Sequence, residues 1–182
     1  MSALKSAFKI EHRAALGDKK SSSFMGVSLE VLPEGHVLHA LSRSADGGLS
    51  GAIRTALGIS EIAVRFVSPG QWFIVGDAAL SAAELGAMTQ KLGALGIDTV
   101  DQSHGRVRIG LSGEKATRAL NKGTAADLSL AAFPVGHATT TLIGHIGAHV
   151  TRTGEQSFEL MVLRGFAESL WDELCEMCAE FA

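Results

Sequence analysis

The stretch that decides the fold covers residues 61–100 and reads EIAVRFVSPGQWFIVGDAALSAAELGAMTQKLGALGIDTV. Its opening residues, 61–67, alternate apolar and polar side chains, which predicts a strand. A tight turn follows at residues 68–71, because Pro69 presets one dihedral angle and Gly70 permits the next. Residues 72–75 then predict the returning strand of a hairpin. A helix is predicted at residues 80–95, where Leu85, Met88, Leu92 and Leu95 recur at helical spacing.

The regions on both sides of this stretch complete a repeating unit. Upstream, a turn is predicted at residues 45–48, and Gly58 is predicted to end the first helix. The remaining elements predicted in the first half are strands at 26–32, 36–42, 99–102 and 106–111 and a short helix at 49–57. The order of the elements is β-α-β-β-α-β, which is the split-βαβ or ferredoxin-like pattern.

The second half of the chain has a similar layout. Ser112 is placed to cap a helix that runs to about Leu120, with Glu114 in its first turn. The later predicted elements are strands at 138–143, 148–151 and 158–163 and a final helix at 166–181. Trp72 and Phe158 each open an apolar strand that leads into a helix, which indicates an internal repeat. The layout of the second half therefore predicts a second unit related to the first.

The predicted fold class is α+β, with two ferredoxin-like (split βαβ) lobes. The lobes are predicted at residues 26–104 and 105–182 of a single unit, 26–182. Residues 1–25 form a locally basic N-terminal arm, which we interpret as mobile or as ordering against a partner.

Composition excludes several classes of protein. A chain of 182 residues with 46% hydrophobic content is long enough to bury a substantial core. The formal charge of -3 and the absence of Tyr argue against nucleic-acid binding. No stretch approaches the roughly 18 apolar residues of a membrane span, and the N-terminus lacks the apolar core of a secretory signal. We therefore expect a cytoplasmic protein.

Two groups of residues have the chemistry of metal ligands. Cys175 and Cys178 form a C-x-x-C, but both fall on the apolar face of the final predicted helix, which favours core packing over redox or zinc chemistry. His145 and His149 are four residues apart, with His137 nearby. Even spacing in a strand would place both rings on one face, so a metal or redox protein is an open alternative, although structural histidines are favoured. The prediction is that the chain has no metal site.

Asp101, Ser103 and His104 are the residue types of a hydrolase triad. Neighbours on a strand point to opposite faces, so these three side chains are not expected to converge. The sequence also has no nucleophile elbow, no phosphate-binding loop and no dinucleotide-binding glycine motif. We therefore predict no catalytic residue and no cofactor-binding residue in this chain. A basic stripe on one predicted helix, interpreted as a solvated face or a docking patch, consists of Lys115, Arg118 and Lys122.

Residues 100–136, VDQSHGRVRIGLSGEKATRALNKGTAADLSLAAFPVG, resemble the signature of the gamma subunit of heterotetrameric sarcosine oxidase. The tail SFELMVLRGFAESLWDEL and the upstream segment RFVSPGQWFIVG also resemble this family. The segments that carry the resemblance within the signature are 101–106, 111–113, 127–128 and 133–136. The resemblance extends over roughly residues 60–180.

The wider superfamily is that of the glycine-cleavage T-protein, so the resemblance implies a fold like the folate-binding domain of an aminomethyltransferase. In that superfamily a hairpin carries an acidic residue that handles folate. The comparable stretch here, GHIGAHVTRTGEQSF, has no Asp between Gly144 and Thr153. This departure favours a chain without folate chemistry of its own. The alternative is a free-standing folate-binding or aminomethyltransferase-like protein.

The resemblance implies a four-subunit enzyme that oxidatively demethylates sarcosine and transfers the one-carbon unit to tetrahydrofolate. Flavins, NAD and folate are expected in the larger alpha and beta subunits. This chain is expected to be a noncatalytic companion that contacts the alpha subunit, supports assembly and self-associates when isolated. The candidate partner-contact residues are Asp101, His104 and Arg106.

Overall fold

The structure, a computed structural model, describes residues 13–44, 48–58 and 62–182. Its strands are β1 Ser22–Phe24, β2 Val27–Val31, β3 His36–Ser42, β4 Ala63–Ser68, β5 Gln71–Gly76, β6 Ile97–Asp101, β7 Arg106–Ser112, β8 Ala138–Ile143, β9 Ile146–Gly154 and β10 Ser157–Leu163. Its helices are α1 Leu49–Leu57, α2 Ala82–Gly93, α3 Ala116–Leu120 and α4 Ala167–Cys178, and short 3-10 turns flank α4 at Arg164–Phe166 and Ala179–Phe181. Most of the predicted turn at 45–48 and the predicted strand start at Glu61 lie outside the described residues.

The first lobe is the predicted ferredoxin-like unit. Its elements run β3-α1-β4-β5-α2-β6, and its four strands lie in the order β4-β5-β3-β6 with every neighbouring pair antiparallel. Helices α1 and α2 cover one face of this sheet through a core that includes Ile53, Trp72 and Leu92. The hairpin turn requires glycine at position 70, because its φ is 76° and a Cβ there would lie 2.6 Å from the Ser42 carbonyl oxygen.

The second lobe also has helices on one face of an antiparallel sheet, but this sheet has six strands, and two of them, β1 and β2, come from the N-terminal part of the chain. The sheet order is β1-β2-β7-β10-β9-β8, and β2 pairs antiparallel with β7 so that Leu29 lies opposite Leu111. The predicted boundary between lobes at 104 and 105 is therefore wrong for β2, which falls within the predicted first lobe. The physical reason is that Val27 and Leu29 bury their side chains in the core under α3 and α4.

The described part of the N-terminal arm is packed onto the second lobe. Leu16 is buried in the core of that lobe, and β1 pairs with β2. Lys19 forms a 2.7 Å ion pair with Asp172 of α4, and the Met25 amide donates to the Phe181 carbonyl at 2.7 Å. Residues 13–25 are thus ordered against their own chain, whereas residues 1–12 of the predicted arm lie outside the described residues.

The two sheets pack face to face, with the helices on the outside. Their contact includes a small apolar cluster of Val37, Phe73, Val75 and Met161, contributed by β3, β5 and β10. Alternate residues of each strand face the helices and fill two larger cores. The layers are therefore helix, sheet, sheet and helix, and the side chains between the sheets are the ones that both lobes share.

The predicted cap of the third helix is wrong. Strand β7 extends through Ser112, and α3 begins only at Ala116, with Lys115 at its N-cap and no side-chain capping bond. Gly113 adopts a φ of 122°, and a Cβ there would lie 2.4 Å from the Gly26 carbonyl oxygen. The chain therefore makes a tight turn against β2 before the helix starts.

Candidate functional site

A cavity of about 420 Å³ opens between the two sheets at one end of their contact. Its walls come from both lobes, and part of its floor is the backbone of Gly76 and Gly110. The charged residues that line it are Glu30, Arg65, Asp77, Arg108 and Glu159. This concentration of charge makes the cavity the strongest candidate site among the described residues.

Arg65 of β4 and Glu159 of β10 form a buried ion pair that joins the two sheets. Arg65 Nη2 donates to Glu159 Oε2 at 2.9 Å. Arg65 Nη1 lies 2.8 Å from Glu159 Oε1, but its hydrogens do not point at that oxygen, so this second contact is ionic without a hydrogen bond. Burial lowers the pKa of Arg65, and the nearby charge of Glu159 opposes that shift. The guanidinium stays protonated, because arginine does not lose its proton in proteins.

Arg108 of β7 is the second buried cation at this cavity. Its side chain is 3% exposed, and its Nε lies 3.9 Å from Glu159 Oε1. Its Nη2 donates to Oδ1 of Asp77, whose side chain is 74% exposed at the cavity mouth. The Nε atoms of both Arg65 and Arg108 are buried without a hydrogen-bond partner among the described residues. Two buried cations therefore share one buried carboxylate, and the exposed carboxylate of Asp77 supplies the other negative charge.

His149 also lies between the sheets, and it is held in its neutral form. Its Nε2 is 2.9 Å from the Phe66 carbonyl oxygen, which can only accept, so Nε2 carries the proton. Its ring meets Phe73 edge-on, with the ring centroids 5.1 Å apart. Burial lowers the pKa of His149 to about 4, so the ring is uncharged at neutral pH.

The predicted partner-contact residues lie at the turn between β6 and β7. Asp101 Oδ1 accepts hydrogen bonds from the Ser103 amide at 2.9 Å and from the Ser103 hydroxyl at 2.5 Å. Ser103 Oγ in turn accepts from the Val37 amide at 3.1 Å. His104 is exposed at the turn, whereas Arg106 stacks over the ring of Phe73 at 4.5 Å. Asp101 and Ser103 therefore stabilise the turn that follows β6.

The cysteines face the core, as the helical pattern predicts. Cys178 is fully buried, and Cys175 packs against the same cluster. Burial raises the pKa of the Cys178 thiol to about 11 and also raises that of Cys175. His137 and His145 are both exposed, unlike His149. Within the described ranges, no group of three or more His, Cys, Asp or Glu residues is arranged to hold a metal ion.

The predicted basic stripe is engaged within the chain. Lys115, Arg118 and Lys122 surround the ring of Phe181 at 5.2, 5.4 and 4.8 Å. Glu180 pairs with Arg118 at 3.2 Å and with Lys122 at 3.0 Å. The stripe therefore stabilises the C-terminal end of the chain against α3.

Sequence reasoning missed the charged residues between the sheets. Arg108 and Glu159 both stand within strands that were predicted correctly, at positions flanked by apolar residues. A charge on a strand is usually read as facing solvent, since successive side chains alternate between faces. The sequence did contain one signal, which is the apolar face of each strand. Because that face packs against the helices, Arg108 and Glu159 lie on the opposite face, which a second sheet can cover.

Comparisons with known proteins agree with this architecture. The model of the "Sarcosine oxidase, gamma subunit family" matches residues 39–180. "Sarcosine oxidase subunit gamma" of Corynebacterium sp. (strain P-1) is 31% identical over 160 residues, which cover 86% of this chain and 76% of that protein. An aminomethyltransferase of Herpetosiphon aurantiacus is 30% identical over 124 residues, covering 66% of this chain and 34% of that protein.

A solved structure has the same fold. A chain of heterotetrameric sarcosine oxidase from Corynebacterium sp. U-96, in complex with pyrrole 2-carboxylate, aligns with a TM-score of 0.79. The alignment covers 93% of this chain and 96% of that chain at 23% sequence identity. In the part of the chain that the structure describes, no helix has both the length and the apolar character needed to cross a membrane.

Proposed function

This chain belongs to the sarcosine oxidase gamma subunit family, and we propose that it is the noncatalytic gamma subunit of a heterotetrameric sarcosine oxidase. Its role is to support assembly of the complex that oxidatively demethylates sarcosine and transfers the one-carbon unit to tetrahydrofolate. The flavins, NAD and folate belong to the partner subunits. The family match across both lobes is the observation that carries this proposal.

The contacts of the reactive side chains support a structural role. Glu159 is engaged by Arg65, Asp101 is engaged by Ser103, and the His149 ring is fixed between a carbonyl oxygen and Phe73. Each of these groups makes a contact that joins strands or closes a turn. Such contacts suit a subunit with a structural, noncatalytic role.

The predicted partner contact at the turn of Asp101, His104 and Arg106 lies next to exposed apolar surface. The Arg164 amide donates to the Gly105 carbonyl at 2.9 Å, which brings the turn beside the segment that follows β10. Leu163 and Phe166 on that segment are about half exposed. Exposed apolar residues beside a polar turn are typical of an interaction site, so we assign the contact with the alpha subunit to this surface.

Co-expression tests the proposal. The tagged chain, produced with the other three subunits of a heterotetrameric sarcosine oxidase, is expected to co-purify with a flavin-containing complex. Phe166→Asp should weaken co-purification and leave the fold intact, since an acid is favourable at the N-cap of α4. Leu130→Asp is the matched control, because Leu130 is 48% exposed and Phe166 is 53% exposed. A chain that never enters the complex would contradict the proposal.

A second candidate is a free-standing folate-binding or aminomethyl-transferring protein. The similarity to the aminomethyltransferase of Herpetosiphon aurantiacus favours it, although this chain spans only 34% of that protein. Calorimetry of the isolated chain with tetrahydrofolate distinguishes the two candidates. Heat of binding at micromolar ligand would support folate chemistry in this chain, and no binding at millimolar ligand would remove it.

A further inference from the structure

We propose that the cavity between the two sheets is a binding site for a small organic carboxylate, which Arg108 holds and for which Asp77 is the internal competitor. The site goes beyond the assembly role and does not depend on it. It is built from residues of both lobes, so it exists only when the two sheets are packed together. We infer the ligand class from the charges of the lining residues, from the arginine Nε atoms that lack a hydrogen-bond partner, and from the Asp77 carboxylate that pairs with Arg108.

The balance of buried charge favours an anion. Among the described residues that line the cavity, the buried charged groups are Arg65, Arg108 and Glu159, which leaves one positive charge in excess inside. The other two lining carboxylates, Asp77 and Glu30, are exposed. A buried charge is costly unless it is paired, so the excess charge attracts a negative group. The exposed Asp77 supplies that group in this structure.

The donors that line the cavity are not fully used. The Nε atoms of Arg65 and Arg108 are buried without a hydrogen-bond partner in the described part of the chain. Both arginines line a cavity of about 420 Å³, which is within the range of small-molecule sites. A carboxylate in this cavity could therefore take the place of Asp77 on Arg108.

The planar guanidinium of Arg108 selects the ligand class. Arginine binds carboxylates through a flat, two-pronged donor edge, and its present partner is a carboxylate. A doubly charged phosphate would be repelled by Glu159, whose Oε1 lies 3.9 Å from Arg108 Nε. A carboxylate carrying a single charge is therefore favoured over a phosphate.

Asp77 is held at the cavity mouth by its backbone rather than by its side chain. A Cβ at Gly35 would lie 2.0 Å from the Gly76 carbonyl oxygen, and a Cβ at Gly76 would lie 2.2 Å from Cε1 of His36. His36 Nδ1 is also 2.7 Å from the Ala78 carbonyl oxygen. These close contacts fix the loop, so that the exposed Asp77 side chain is the part that can rotate away from Arg108.

The Asp77 side chain is exposed and can rotate into solvent, so an incoming carboxylate can take its place and keep Arg108 paired. The test uses the purified full chain, titrated with sodium acetate against sodium chloride at equal ionic strength. Amide NMR shifts and the thermal midpoint report binding, since a ligand of the folded state stabilises it. Acetate is expected to bind the wild type, and Asp77→Asn is expected to bind it about two- to fivefold more tightly.

Two further variants complete the experiment. Arg108→Met should abolish acetate binding. Asp172→Asn is the matched control, because Asp172 is a 62% exposed acid in an ion pair with Lys19 outside the cavity, and it should leave acetate affinity unchanged. If Arg108→Met does not fold, the comparison of Asp77→Asn with Asp172→Asn decides.

Several results would overturn the site. Equal responses to acetate and chloride in both the wild type and Asp77→Asn would exclude it. Inorganic phosphate binding more tightly than acetate would exclude the carboxylate class. None of these results bears on whether the chain enters the oxidase complex, so the two proposals fail independently.

Discussion

His149 lies in β9 between the two sheets, where burial lowers its pKa to about 4 from an ordinary value of 6.5. The unfolded chain therefore takes up a proton as the pH falls below about 6.5, while the folded chain does not until about pH 4. The unfolded state binds more protons throughout that window. The stability that neutral His149 contributes is thus fully present above about pH 6.5 and is lost as the pH falls from there to about 4. The positive charges of Arg65 and Arg106 act in the same direction as burial.

Replacing His149 should remove this pH dependence. Between about pH 7 and about pH 4.5, the wild type should lose about 2 to 3 kcal/mol of stability through this one group. His149→Gln keeps a donor for the Phe66 carbonyl but cannot take up a proton, so its loss over the same range should be smaller by that amount. Urea unfolding at the two pH values measures the difference. His145→Gln, at an exposed position, should behave as the wild type does, and an unchanged pH slope in His149→Gln would contradict the assignment.

At the residue scale, the burial of a side chain could be predicted from the sequence where it depends on the apolar face of a single helix. Cys175 and Cys178 sit on one helix whose apolar face is visible in the sequence, and their inward position was predicted. Arg65 and Glu159 carry no such local signal, because the surface that buries them forms only when two separate sheets meet. Their burial depends on a contact between residues 94 positions apart in the chain.

Helix α2 shows how a local capping signal defines an element. Ser81 Oγ accepts from the Glu84 amide, and the Glu84 carboxylate accepts from the Ser81 amide at 2.8 Å, so the two residues form a capping box. The helix accordingly starts at Ala82, slightly later than residue 80, where the apolar spacing placed it. Ser112 has a similar sequence context, with Glu114 following it, but it ends a strand.

Two serine substitutions test this difference. Ser81→Ala should lower the free energy of unfolding by about 1 kcal/mol, because it leaves a helix amide without its acceptor. Ser112→Ala should change it by less than about 0.5 kcal/mol, since the Ser112 side chain is exposed and caps no helix. Chemical denaturation of both variants measures the two values. Equal losses would mean that the capping box does not stabilise α2.

The elements of the first lobe were largely predictable, because local sequence signals mark their boundaries, even though β6 pairs with the distant strand β3. Pro69 and Gly70 indicate the turn of the β4–β5 hairpin, and the boundaries of both helices can be predicted from the sequence. The position of β2 was not predictable from local patterns. Its partner β7 lies beyond the whole first lobe, and an apolar strand before β3 is equally compatible with either sheet.

At the scale of the whole molecule, Glu159 is the residue through which the two sheets are joined electrostatically. It neutralises Arg65 from the opposite sheet and lies near Arg108 in its own. Removing its charge leaves two buried cations, and the carboxylates that remain at the cavity among the described residues, Asp77 and Glu30, are exposed. The cost of an unpaired buried charge exceeds the gain from the pair itself, so the loss should be large.

Glu159→Gln should lower the free energy of unfolding by about 3 to 5 kcal/mol. Glu155→Gln is the matched control four residues earlier, at an exposed turn position, and it should change stability by less than about 0.5 kcal/mol. Urea unfolding of both variants at neutral pH gives the comparison. A Glu159→Gln protein as stable as the control would show that solvent, rather than Glu159, screens the two arginines.

The strand that β2 contributes to the second lobe also affects how the chain is made. On the ribosome, β2 emerges before the entire first lobe, and its partner β7 follows only after a further delay of roughly 4 to 15 seconds at about 5 to 20 residues per second. The first lobe has all its strands contiguous and can fold during that interval, while β1 and β2 wait with unpaired edges. Lys19, Lys20 and Glu30 lie in or beside this waiting pair, and such charges disfavour pairing with other nascent chains.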